Sequence, residues 1–120
     1  MIASVTELNL KNFLCFLRFV PHAVKSKYQA EKARGVVSVR LGSRGILTQR
    51  TLTVWENEES LKDYVHSGAH LLAMQAFAKL ADISYTAHFE VAVPPTWEEA
   101  LDFLRTRGKA HPSVSRGRSP

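Results

Sequence analysis

Two apolar, β-branched runs, Val36 to Leu41 and Ile46 to Trp55, stand on either side of Gly42-Ser43-Arg44-Gly45. Strand-forming residues joined by turn residues predict an antiparallel hairpin near the middle of the chain. What flanks that hairpin decides the fold. Before it, Ser4 to Leu10 alternates like a strand, and Asn12 is placed to cap a long helix from Phe13 to Ala33. Pro21 predicts a kink or restart in that helix, and Gly35 ends it. After it, Asn57 with Glu58 and Glu59 opens a second helix running towards Leu80, with a kink expected near Ser67-Gly68.

Ile83 to Val93 follows as a fourth strand, with Ile83, Tyr85, Ala87, Phe89, Val91 and Val93 on one face and Ser84, Thr86, His88 and Glu90 on the other. Beyond Pro94-Pro95, Thr96 and Glu99 form a capping-box pattern for a short helix to about Leu104. The order βαββαβ plus one extra helix predicts an α+β fold of ferredoxin-like type, with a four-stranded antiparallel sheet carrying its helices on one face. The opposite face then needs cover, and a second copy of the chain, as a twofold homodimer, is the economical way to supply it.

Charge narrows the partners. The chain carries a net charge of +5, but residues 1–104 hold eleven basic and eleven acidic side chains, while residues 105–120 hold five basic residues and no acid. One domain over residues 1–104 and a basic, flexible tail over 105–120 are therefore expected. A neutral body offers little attraction to phosphate backbones, so no nucleic-acid partner is expected. The apolar run Phe13 to Val20 is interrupted by Arg18 and is shorter than the roughly 20 residues that span a bilayer, so no membrane partner is expected either. The single cysteine, Cys15, precludes an internal disulfide, and a cytoplasmic location is the expectation.

The chemistry-bearing residues gather between Thr51 and Phe77. On a helical wheel Leu61, Val65, Ala69, Leu72, Ala76 and Leu80 form one stripe, and His66, His70, Met74 and Phe77 fall on a second side. Two histidines one turn apart can share a metal, but Ser67 stands where a zinc-protease helix has its glutamate, and no metal site is assigned. His70 is a candidate general base. His88 is a second one; with Glu90 on the same strand face, it serves either a ligand or a cross-strand hydrogen bond. Trp55 and Tyr64 supply aromatic walls or core packing. The chain lacks glycine-rich nucleotide loops, a nucleophile-turn motif and cysteine-rich metal motifs.

The segment TLTVWENEESLKDY resembles the strand-to-helix segment of the dimeric α+β barrel superfamily typified by antibiotic-biosynthesis monooxygenases. Within it, SGAHLLAM and LADISYTAHFEV resemble an uncharacterised bacterial branch grouped with the DUF3291 proteins. The resemblance implies a homodimer that binds a small hydrophobic or aromatic molecule. It further implies a cofactor-independent monooxygenase acting on a phenol or quinol, with His70 and His88 as catalytic candidates and Trp55, Tyr64, His66, Met74 and Phe77 lining the ligand. A non-catalytic binding or dimerisation module and a haem-binding protein are the alternatives. In haem-degrading members an aromatic residue presses on haem and a histidine further along the helix ligates it. The matching positions here are Tyr64 and Met74, and a thioether is a poorer donor to iron, so no cofactor is expected. His70 could replace Met74 only if the haem sat deeper in the cleft.

Overall fold

The computed structural model describes residues 1–66 and 68–112; residue 67, residues 113–120 and the side chains of residues 69–71, 73, 111 and 112 lie outside that description. The elements are β1 (Ile2–Leu10), α1 (Phe13–Glu31), β2 (Val36–Arg44), β3 (Thr48–Trp55), α2 (Glu58–Val65), α3 (Gly68–Leu80), β4 (Ala81–Glu90), α4 (Trp97–Arg107) and β5 (Lys109–Pro112). The strands form one antiparallel sheet in the order β2-β3-β1-β4-β5, with β1 at its centre. The sheet has five strands rather than the expected four. The segment from Arg105 is not a tail throughout: it completes α4 and then pairs along β4 from Thr86 to Ile83. The expected tail from residue 113 onward lies outside the described residues.

Strand alternation sends two different surfaces to the two sides of the sheet. On one side Ala3, Val5, Leu52, Val54 and Ala87 pack against Ala100 and Leu104 of α4, and Phe89 stacks on Phe103 with ring centroids 4.2 Å apart. Three alanines at this contact allow the helix a close approach. The expected capping box starts α4: Glu99 N–H donates to Thr96 Oγ1 at 3.1 Å, and Thr96 N–H donates to Glu99 Oε1 at 2.9 Å. The sheet face expected to need a second copy is thus covered by the chain's own last helix, and Ala3, Val5, Leu52 and Val54 are 0% exposed within one protomer.

On the other side α1, α2 and α3 cover two separate apolar clusters. Leu8 and Leu10 meet Phe19, Leu80 and Phe77 at one end, while Ile2 and Trp55 meet Ala30, Leu61 and Tyr64 at the other. Asn12 caps α1 by accepting from Cys15 N–H at 2.9 Å. The helix runs continuously through Pro21, because that residue stands on the exposed side, where water can bond the Leu17 carbonyl that proline leaves free.

Two glycines account for further departures, and a third stands where the sequence placed it. Gly42 lies inside β2 instead of in the turn, since a Cβ there would come within 3.1 Å of the Trp97 ring; the turn falls at Gly45, with φ of 69°. Gly68, at φ 56°, separates α2 from α3 where one kinked helix was expected. Gly35, at φ 83°, closes the α1–β2 link, and a Cβ would overlap the Ser60 side chain on α2. Gly35→Ala is accordingly expected to cost about 1–3 kcal/mol in a denaturant unfolding experiment, from positive-φ strain and the overlap together.

Candidate functional site

The helix-covered sheet face is apolar at both ends but polar in between. Cross-strand register puts His88, Ser4 and Thr53 in one row and Thr86, Thr6 and Thr51 in the next. Directly opposed residues in adjacent strands have Cβ atoms about 4.5–5.5 Å apart, so each row is a continuous run of polar side chains. Ser4 and Thr6 belong to the central strand and face the helices, yet both are only half-buried, whereas Ala3 and Val5 on the reverse side are sealed. This partial exposure leaves a polar strip in the middle of the sheet face accessible beside the helices. From α1, Ser26 lies between Phe19 and Ala23 on one side and Ala30 on the other, along the same buried stripe. Ser26 is 8% exposed and its hydroxyl has no hydrogen-bond partner.

Trp55 and Tyr64 form the wall at one end. Their rings stack at 4.9 Å, the indole N–H donates to Thr53 Oγ1 at 2.9 Å, and the Tyr64 hydroxyl donates to the Ser26 carbonyl at 3.0 Å. Burial pushes the Tyr64 phenol well above its ordinary pKa, so it stays protonated and serves as a fixed donor. The wall is tied to the floor through Thr53 and to α1 through Ser26.

His88 lies at the β4 end of the first polar row. The residue is exposed overall, but protein surrounds enough of its ring for desolvation to lower its pKa from the ordinary 6.5, while the nearby Glu58 carboxylate acts to raise it. The opposing carboxylate therefore comes from the start of α2, not from Glu90 on the same strand. At neutral pH the imidazole is neutral and able to accept a proton. Because the folded state disfavours the charged ring, acidification through and below 6.5 protonates the unfolded chain first and takes stability away. A side-chain NMR titration is expected to place His88 below 6.5, with Glu58→Gln lowering it further. A midpoint above 6.5 would contradict this environment.

The other anticipated residues are dispersed. His66 is exposed at the end of α2, with Nδ1 3.0 Å from the Lys62 carbonyl, and the break before Gly68 removes it from any continuous stripe with His70. His70 is in the first turn of α3, and its side chain lies outside the described residues. Met74 is 45% exposed on α3, and Phe77 packs on Phe19 at 4.9 Å in the opposite apolar cluster. The Ser4 and Thr6 contributions were not singled out from sequence; alternate hydroxyls on several strands were the available signal, but their convergence depends on register.

Haem held by Tyr64 and Met74 does not fit the described residues. Tyr64 has both its ring and its hydroxyl committed to internal contacts, and the thioether at the matching ligand position, Met74, is on the surface. Among the described residues no group of three or more His, Cys, Asp or Glu side chains could hold a metal ion.

No family model matches the chain, and no curated protein matches it in sequence. Solved structures do match in shape. SnoaB, a cofactor-independent oxygenase from Streptomyces nogalater, aligns with TM-score 0.64 at 13% identity, over 77% of this chain and 93% of that one. An antibiotic biosynthesis monooxygenase aligns with TM-score 0.69 at 7% identity, over 78% of this chain and 100% of the other. Rv0793 from Mycobacterium tuberculosis gives 0.70 at 8% identity, over 79% and 98%. Together with the strand order, these likenesses show that the chain shares the α+β fold of these solved structures.

Proposed function

We propose that this protein binds a small phenolic or quinol-like aromatic molecule in a crevice between the sheet and α1–α3, and oxidises it with dioxygen without a cofactor. The observation that supports this most is the pairing of a half-open polar floor, Ser4, Thr6 and Thr53, with a neutral His88 at its border. Apolar clusters at both ends suit the rings of such a ligand, and the hydroxyls suit its oxygen atoms. The shared fold with a cofactor-independent oxygenase supports the same reading.

In this reading His88 takes the phenolic proton, and the electron-rich phenolate passes one electron to dioxygen. With a phenol whose para carbon bears hydrogen, the substrate radical and superoxide combine into a peroxide at that carbon. Loss of the ring hydrogen at that carbon as a proton breaks the O–O bond: one oxygen stays as the quinone carbonyl and the other leaves as water. The substrate supplies all four electrons. Hydrogen bonds from the serine and threonine hydroxyls stabilise the developing oxyanion. His70 is retained as a second base candidate from its place in α3. The homodimer and the narrower DUF3291-like placement enter this proposal from the sequence resemblance.

Oxygen consumption measured with a panel of phenols and quinols tests the reading. Enzyme-dependent uptake, one dioxygen per quinone formed, is expected. Saturable binding with no uptake above the uncatalysed control would leave a ligand-binding module and remove the oxygenase.

A further inference from the structure

Helix α1 is apolar on two opposite faces. Its buried stripe is Phe19, Ala23, Ser26 and Ala30; its solvent side carries Leu14, Leu17, Pro21, Val24 and Tyr28, spaced alternately three and four residues apart. Leu14 and Leu17 are 57% and 50% exposed, and Val24 and Tyr28 are each 61% exposed. Single exposed apolar residues need no explanation, but a ridge running nearly the full length of a helix does.

The charges beside the ridge decide what can cover it. Arg18, Lys25 and Lys32 recur every seven residues along one border, and Lys27 stands on the other. The acid at this end of the helix, Glu31, is paired with Lys27 at 2.6 Å. Next to the Arg18 border, a groove of about 660 Å³ between α1 and α3 is lined by Arg18, His22, Gln75 and Lys79, together with Ala76 and Leu80 and no acidic residue. In an antiparallel twofold contact between two α1 helices, the Arg18–Lys25 border of one would lie against the same border of the other, like charge against like. An anionic surface is the complement of both the ridge and the groove.

We propose that α1 docks this protein on anionic lipid bilayers, lying in the interface with its ridge among the upper acyl chains and a headgroup phosphate in the Arg18–His22–Lys79 groove. An apolar face rimmed by basic residues, with Phe13 and Tyr28 near its ends, is the pattern of a helix that lies in an interface. Among the described residues no helix is long and apolar enough to cross a membrane, and interfacial docking needs none. The lysine and arginine stems can extend along the apolar layer while their charges reach the headgroups.

Co-sedimentation of the full chain with vesicles of equal parts phosphatidylglycerol and phosphatidylcholine, against pure phosphatidylcholine, tests the docking. Binding to the mixed vesicles, weakened by added salt, is expected. Leu17→Glu, at an exposed position, should leave the circular dichroism spectrum and thermal melt of the protein unchanged and abolish binding, and Arg18→Glu should weaken it about tenfold or more. Val24→Asn, a milder change on the same ridge, should also reduce it. No binding to the mixed vesicles would overturn the proposal. So would binding that survives Leu17→Glu, which would place it on the basic C-terminal residues instead. Failure to bind lipid together with a Leu17-dependent dimer in sedimentation velocity would assign the ridge to a second copy, and failure together with Leu17-dependent binding of an acidic amphipathic peptide would assign it to a protein partner.

Discussion

His88→Gln is expected to lower the oxygen-dependent turnover of a phenol with an unsubstituted para carbon roughly 10²- to 10⁴-fold, the range contributed by a positioned general base. Glutamine can preserve polar contacts at the crevice border but cannot take the substrate proton at neutral pH. The loss should therefore fall on kcat, with KM little changed. In the wild type the rate should rise with pH through a midpoint below 6.5 and be flat near neutrality, because desolvation favours the neutral ring. Steady-state kinetics of the two proteins across pH measure both effects. A variant with undiminished kcat would remove His88 from the chemistry and leave the base to another residue.

Trp55→Ala is expected to destabilise the fold by about 3–5 kcal/mol, as large aromatic truncations in cores do. Trp55 is 0% exposed, stacks on Tyr64 at 4.9 Å and donates to Thr53 Oγ1 at 2.9 Å. The truncation therefore opens a cavity, frees the face of the Tyr64 ring and removes the donor that fixes the Thr53 hydroxyl on the crevice floor. Trp55→Phe keeps much of the packing and should cost less while still freeing Thr53. Denaturant unfolding of both variants gives the two costs. A loss near zero for Trp55→Ala would mean that the wall is not part of the cooperative core.

The strands were legible because their side chains alternate. The apolar positions Tyr85, Ala87 and Phe89 all face α4, and Thr86 and His88 share the opposite face, as the period-2 pattern implies. Caps were legible because their chemistry is local: Asn12, Asn57 and Thr96 each accept from a backbone N–H three residues on. Gly42 was misplaced because its role depends on Trp97, a residue far along the chain. The need for a second copy over the sheet was inferred before α4 could be placed there, and nothing local in its sequence says which face a helix will cover.

The candidate site divides along the same line. Trp55 and Tyr64 were identified individually, and the structure brings them together; the His66–His70 stripe required the helix to keep its register through the kink expected near Ser67-Gly68, and Gly68 breaks it. The polar rows needed the pairings Ser4 with Thr53 and Ser4 with His88, which are tertiary facts. Ser26 carries no distinguishing signal in the sequence. The structure buries its hydroxyl without a hydrogen-bond partner, between helix neighbours that belong to the two apolar clusters.

The central claim is that the polar floor between the two apolar clusters is where the ligand sits. Titrating the isotopically labelled protein with a redox-stable phenol and following backbone amide shifts tests it most directly. Saturable shifts centred on Ser4, Thr6, Thr53, Thr86 and His88, with the His88 ring signals moving at the same ligand concentrations, are the predicted result. Shifts confined to the outer surfaces of α1 and α3, or no saturable shift with any phenol in the panel, would contradict it.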